Sequence, residues 1–213
     1  MTRPARTGIV LAGGRSSRFG RDKLAAEVDG EPLLWRPIRA MAAAGCGSIL
    51  VVITPELDEP ALPPELRPSL RLVRDPESYG GPLIGLRTGL AAAPSSVAIV
   101  AAGDQPGLRP ALLRALVEAR SAPMDAGLPG GRTPAAVVLV DPNGVTRPLP
   151  CVVDRDRGLA AADRLIAGGE RRLRVLLAAL DAREVPEVVW RATDPSAAWT
   201  LDIDRPEDLH YRH

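Results

Sequence analysis

The sequence predicts an α/β fold built on a mainly parallel sheet sandwiched by helices. Three observations lead there. Short apolar runs recur along the first half and alternate with helix-like segments. The clearest of them, Ser48–Thr54 (SILVVIT), has no polar alternation, as expected of a strand covered on both faces. Connections between the segments are short, and right-handed crossovers then follow.

Taken in order, Gly8–Leu11 reads as a buried strand. Pro32–Ala44 reads as a helix, with Pro37 either kinking it or sitting in its first turn. Ser48–Thr54 and the weaker Leu70–Arg74 are strands. Gly85–Ala93 reads as a helix, Ser96–Ala101 (SVAIVA) as a strand and Pro110–Ala119 as a helix. The order so far is β-α-β-β-α-β-α. In the second half, Ala135–Val140 and Pro150–Val153 are expected to pair as a hairpin around Asp141-Pro142-Asn143-Gly144, because Asn-Gly is a turn signal. Gly158–Ala167 and Arg171–Ala179 read as helices, Arg183–Val189 as a strand, and a short helix starts from Pro206. Nothing marks a boundary, so 1–213 is expected to form one domain.

Composition narrows the function classes. At 213 residues and 46% hydrophobic content, a single sizeable core is attainable. Basic and acidic residues nearly cancel, 27 against 26, which leaves no broad electrostatic footprint for nucleic acid. Aromatic content of 3% argues against a base-stacking platform. Cys46 and Cys151 stand far apart without a CxxC pair, so neither a disulfide framework nor a zinc site is expected. No stretch reaches the ~18 to 20 apolar residues of a membrane span, and a cytoplasmic protein is expected.

The chemistry concentrates after the first strand, in LAGGRSSRFGRDK, Leu11 to Lys23. Strand ends of an open α/β sheet are where ligands bind. Glycines there let backbone N–H groups approach an anion, and Arg18 and Lys23 can neutralise phosphate. The spacing excludes a P-loop, which needs GxxxxGK[ST], and a GxGxxG dinucleotide fingerprint. An ordinary glycine turn with a solvated basic loop is the plain alternative.

Three carboxylate positions stand at comparable places. Asp104, in Gly103-Asp104-Gln105-Pro106, follows SVAIVA and could hold Mg²⁺, which takes one or two carboxylates plus phosphates and water; or it caps a turn. Asp75 follows the weaker strand and could equally form an Asx-turn before Pro76. Asp202 and Asp204, two apart, could join Asp104 at a metal, or Asp204 could cap the helix from Pro206. Gly80-Gly81-Pro82 suits backbone approach by a ligand at a helix start, or plain packing. Glu170-Arg171-Arg172 reads as a solvated helix start or as an arginine contact to an anionic substrate.

LAGGRSSRFGRDK matches the pattern LAGG-x-S-x-R-[MF]-G-x-x-K, and here the chain resembles the nucleotidyltransferase family. Together with Asp75–Gly85 (DPESYGGPLIG), Ala102–Pro106 (AGDQP), Gly169–Arg172 (GERR) and Leu201–Leu209 (LDIDRPEDL), the resemblance covers nearly the whole chain and is strongest to molybdenum cofactor guanylyltransferases. The resemblance implies a Rossmann-like fold of nucleotide-diphospho-sugar transferase type. It implies GMP transfer from GTP to the phosphate of molybdopterin, with release of pyrophosphate. It implies that Leu11, Ala12, Gly13 and Gly14 line the nucleotide pocket, that Lys23 and Asp75 contact the nucleotide, and that Asp104 holds Mg²⁺. Arg18, Lys23 and Asp104 would then serve catalysis, and maturation proteins of molybdoenzymes would be transient partners. Two features depart from the family. Ile53-Thr54-Pro55 stands where an asparagine is frequent, and Asp202-Ile203-Asp204 replaces Asn-x-Asn. The latter also occurs in relatives that transfer CMP or act on other acceptors. Transfer of CMP to molybdopterin, transfer of a nucleotide to a sugar phosphate, and a non-catalytic nucleotide-binding role are the alternatives.

Overall fold

Both faces of the sheet are covered, which explains why its strands read as unbroken apolar runs. The computed structural model describes residues 6–13, 23–77, 80–122, 132–203, 205 and 208. The strands are β1 (Thr7–Leu11), β2 (Glu27–Val28), β3 (Glu31–Pro32), β4 (Ser48–Ile53), β5 (Leu70–Arg74), β6 (Val97–Ala102), β7 (Ala136–Val140), β8 (Thr146–Asp154) and β9 (Arg183–Val185). The helices are α1 (Trp35–Ala43), α2 (Pro82–Ala92), α3 (Pro110–Ser121), α4 (Arg155–Ala167), α5 (Leu173–Ala179) and α6 (Glu187–Trp190). The main sheet has the order β5-β4-β1-β6-β8-β7-β9, and β2 and β3 form a separate small ribbon. In the main sheet only β8 runs against the other strands.

Alternate residues of each strand feed opposite layers. Val10, Ile49, Val51, Ile99 and Ala101 pack with Ile38 and Met41 of α1 and Leu112, Leu113 and Leu116 of α3. Ile9, Leu50, Val52, Ala98 and Val100 pack with Leu83, Leu86 and Leu90 of α2 and with α4 and α5. Each large aliphatic side chain among them contributes roughly 1.5–3 kcal/mol on burial. The chain leaves β1 toward β4 and later returns to β6 on the other side of β1. That reversal, between β1 and β6, is where an open α/β sheet forms its crevice.

Several boundaries differ from expectation, each for a local reason. Pro32 lies in β3, not at a helix start, and α1 begins at Trp35. The ribbon turns on Asp29-Gly30, with positive φ at both residues (51° and 78°), as an Asp-Gly hairpin requires. Pro37 sits in the first turn of α1, where its missing N–H costs no hydrogen bond. Helix α2 starts three residues early, with Pro82 at its first position. Strand β8 begins at Thr146 rather than Pro150. The Asp141 carboxylate folds the intervening turn by accepting from Asn143 N and Val145 N, each at 2.9 Å. The strand expected to run to Val189 stops at Val185. After Pro186 the chain forms α6, which delivers Trp190 to the core edge-on to Trp199, with ring centroids 5.4 Å apart. Pro206 lies outside the described residues.

The segment from Asp194 to Ile203 braces the loop after β6. Asp194 is fully buried; it accepts from Trp199 N at 3.2 Å and pairs with Arg109 at 3.0 Å. Ile203 N donates to Asp104 O at 3.1 Å. Gly107 is pressed so closely on Ala198 that a Cβ there would lie 2.0 Å from its carbonyl oxygen. Backbone cannot give way as a flexible side chain does, so Gly107→Ala should destabilise the fold by about 3 kcal/mol. For a chain of this size that corresponds to a melting temperature lower by roughly 6–12 °C. An unchanged melting temperature would show that the Ala198 segment does not hold this loop.

Candidate active site

Three backbone hydrogen bonds finish the parallel ladders and set the lip of a cleft. Ala12 N donates to Val52 O at 2.8 Å, Gly103 N to Leu11 O at 2.9 Å, and Asp75 N to Ile53 O at 2.8 Å. Past these rungs the strands stop, and a cleft of about 560 Å³ opens over their carboxyl ends. Its lining includes Leu11, Ala12 and Gly13 after β1, Thr54 after β4, Asp75 after β5, and Asp104 after β6. A volume of this size suits a small organic ligand.

At one side of the cleft, Lys23 and Asp104 form an ion pair, Nζ to Oδ2, at 2.7 Å. Their side chains are 12% and 26% exposed, so the pair is partly shielded from water yet open to the cleft. Lys23 opens the short 3-10 turn Lys23–Ala25, whose Leu24 O accepts from Leu34 N at the start of α1. The lysine is therefore anchored through the backbone.

At the other side lies Asp75, 9% exposed. Its Oδ2 would be 3.3 Å from a Cβ on Gly85 and 3.9 Å from one on Gly13, so glycines form the slot that holds it. Its Oδ1 is buried without a hydrogen-bond partner. Burial raises its pKa above the ordinary carboxylate value. The nearby Thr88 hydroxyl offsets part of that rise, although Thr88 Oγ1 too lies outside hydrogen-bonding geometry, and the charge of Glu77 adds to it. A buried acceptor without a partner is costly.

Of the residues singled out in the sequence, Leu11, Ala12, Gly13, Lys23, Asp75 and Asp104 lie around this one cleft. Gly14, Arg18 and Asp204 lie outside the described residues. Asp202 is exposed and precedes Ile203, whose amide binds the Asp104 carbonyl, so this stretch runs beside Asp104. Arg171 and Arg172 are absent from the cleft lining. Leu149, from the antiparallel β8, does line it and carries no sequence signal of its own; neither does Thr88, a helical residue whose importance comes only from facing Asp75.

Among the described residues, no group of three or more His, Cys, Asp or Glu side chains could hold a metal ion. Asp104, one carboxylate at a cleft mouth, instead fits Mg²⁺ that keeps waters and shares its coordination with substrate phosphates. The donor set thus suits a metal that arrives with a nucleotide.

Residues 8–185 match the model of the MobA-like NTP transferase domain. The chain belongs to this family. It is a nucleotidyltransferase, and the cleft sits where the family's mostly parallel sheet ends. A probable molybdenum cofactor guanylyltransferase of Chloroflexus aggregans is 36% identical over 205 residues, covering 95% of this chain and 91% of the relative. One of Mycobacterium avium is 34% identical over 182 residues, covering 84% and 83%. Among solved structures, molybdopterin-guanine dinucleotide biosynthesis protein A of Archaeoglobus fulgidus superposes with a TM-score of 0.69 at 21% identity, covering 95% and 94%. The 4-diphosphocytidyl-2C-methyl-D-erythritol synthase of Anaerococcus prevotii follows the same fold, with a TM-score of 0.65 at 16% identity, covering 97% and 93%. The fold alone therefore does not choose the base.

Asp75 yields a stability test. Its folded pKa lies above its unfolded one, so its stabilising contribution is present below the unfolded pKa and is lost as pH rises through the folded value. At neutral pH the ligand-free Asp75→Asn variant should melt at a higher temperature than wild type. The gap should narrow as pH falls toward the ordinary carboxylate range. Thermal melts of both proteins at a series of pH values decide this; a variant that melts lower at neutral pH contradicts it.

Proposed function

We propose that the chain transfers GMP from GTP to the phosphate of molybdopterin, with Mg²⁺ held at Asp104, and releases pyrophosphate. The observation that carries the choice of base is the carboxylate of Asp75 on the cleft wall, whose Oδ1 has no hydrogen-bond partner. An ionised carboxylate only accepts hydrogen bonds. The guanine edge offers two adjacent donors, N1–H and the N2 amino group, which one carboxylate can take together. Adenine and cytosine offer a single amino donor beside an acceptor, and that acceptor would face the carboxylate. A site built around a buried hydrogen-bonding group rejects ligands that leave it unpaired. The names of the curated relatives support the same substrate.

The spacing of the site supports the orientation. Asp75 follows β5 and Asp104 follows β6, three strands apart in the sheet. At ~4.8 Å per strand this is roughly 14 Å. A nucleotide laid across the strand ends, base on Asp75, then brings its phosphates toward Lys23 and Asp104. The N-terminus of α2, entered through Gly81 and Pro82, borders the cleft and favours negative charge.

No protein nucleophile is needed. A phosphate oxygen of the acceptor attacks the α-phosphorus, forming the new P–O bond as the bond to pyrophosphate breaks. Bound Mg²⁺ would supply charge neutralisation for the leaving pyrophosphate. Lys23 would exchange its Asp104 partner for phosphate oxygens, and Asp104 would exchange a lysine for a metal. The remaining task of the chain is to align the two phosphates and exclude competing water.

Two measurements test this function. In a thermal-shift panel with Mg²⁺, GTP should give the largest stabilisation, about 2.7 kcal/mol at 100 times its Kd. Asp75→Asn should erase the advantage over CTP, and a larger shift with CTP on wild type would assign the chain to cytidylyl transfer instead. For the reacting end, Asp104→Asn should abolish pyrophosphate release while GTP still binds. Lys23→Ala should weaken triphosphate binding by about 1.5–3 kcal/mol. Near-normal turnover of Asp104→Asn at ordinary Mg²⁺ would remove that residue from the metal.

A further inference from the structure

The segment Gly169–Arg172 carries two arginines that, as sequence, suit an anionic substrate. In the structure both side chains stay near the surface and bond to their own turn. Helix α4 ends in a tight turn: Gly169 N donates to Ile166 O at 2.9 Å, with φ of +84°, and Glu170 N donates to Leu165 O at 2.9 Å. The Glu170 carboxylate then folds over the next two residues. Its Oε1 accepts from Arg171 N at 2.8 Å, Arg172 N at 3.0 Å and Arg172 Nε at 2.8 Å, while Oε2 accepts from Arg172 Nη2 at 2.6 Å. These donors, the Arg172 side chain foremost, hold the Glu170 pKa down at about 2. Arg172 thus presents its fork to Glu170. Arg171 Nη1 bonds the carbonyls of Ile166 and Glu170 at 3.3 and 2.9 Å.

What this turn exports is backbone. Arg171 O accepts from Leu83 N at 3.1 Å, satisfying an N–H in the first turn of α2 that has no partner within its helix. Just before that helix, Gly81 takes φ of +93° and lies against Arg171. A Cβ on Gly81 would sit 3.1 Å from Arg171 Cβ and 3.2 Å from its carbonyl oxygen. Gly80, Gly81 and Pro82 line the cleft. The wall of the nucleotide site is therefore seated on Arg171, and Arg171 is seated on Glu170.

We infer that Glu170 is a positioning residue for the nucleotide, acting through the Arg171 backbone on the Gly80–Pro82 wall, and that Arg172 serves Glu170 rather than the acceptor. This rests on the proposal that the cleft binds GTP, and wild-type GTP affinity, measured first by calorimetry with Mg²⁺, tests that proposal separately. Wild type that binds no nucleoside triphosphate would sink both. Given wild-type binding, Glu170→Ala should raise the KM and Kd for GTP about tenfold. Its kcat should stay within about twofold, because the reacting groups at Lys23 and Asp104 are untouched. Glu170→Gln keeps a carbonyl acceptor for the two backbone N–H groups and should restore most of the affinity. Arg172→Ala should leave the KM for the molybdopterin acceptor unchanged.

The ligand-free melting temperature of Glu170→Ala should fall by only a few degrees, since the turn is near the surface. Equal GTP affinity in wild type and Glu170→Ala would overturn the inference. So would a rise in acceptor KM for Arg172→Ala at unchanged GTP KM, which would make that arginine a direct substrate contact. A collapse of the Glu170→Ala melting temperature would make the turn a general support of the fold and would also overturn it.

Discussion

The site hangs on the parallel pairing of β1 with β6. Its register sets Leu11 opposite Ala102, and one further rung joins Gly103 N to Leu11 O at 2.9 Å. That rung brings the glycine loop after β1 alongside the Asp104 loop. The same register logic on the far side, through β4 and β5, delivers Asp75 to the same edge. A slip of one residue would move every side chain of a strand into the opposite layer. With both layers of the core packed on these strands, such a slip is forbidden, and the cleft inherits the precision of the core.

Within that frame the two ends of the cleft differ in physical character. At the Asp104 end, opposite charges are already paired and partly open to water, as suits a group that must change partners. At the Asp75 end, a carboxylate is buried with an oxygen unbonded, which is costly in the empty protein. On the proposed binding mode, rigidity is needed most at the second end, because discrimination between bases would depend on small displacements of donors and acceptors. The Glu170 turn, lodged behind Gly81 through Arg171, is where we infer that rigidity comes from.

Much of the architecture is legible in the sequence because it is written in long apolar runs. Ser48–Ile53 and Val97–Ala102 could hardly be anything but buried strands, and the glycines after Leu11 mark the crevice. What escapes a reading of the sequence is short or non-local. The Asp29-Gly30 ribbon has two-residue strands, too brief for any periodicity. Helix α6 is four residues long, and its β-branched Val188 and Val189 read as strand. Leu149 joins the site only because β8 returns antiparallel beside β6. The Glu170 turn is legible as charge but not as direction: nothing in Glu-Arg-Arg tells that the arginines face their own turn. For Asp75 the sequence leaves an Asx-turn and a ligand contact both open, and it does not show the burial that the structure gives this side chain.

If a nucleotide lies across the strand ends with its base on Asp75 and its phosphates at Lys23 and Asp104, a crystal structure of the chain with GTP and Mg²⁺ will show it. Guanine N1 and N2 should then lie within hydrogen-bonding distance of the Asp75 carboxylate. The Lys23–Asp104 ion pair should be open, with the metal between Asp104 and phosphate oxygens. A nucleotide bound with its base away from Asp75, or with the Lys23–Asp104 pair intact beneath it, would contradict this arrangement.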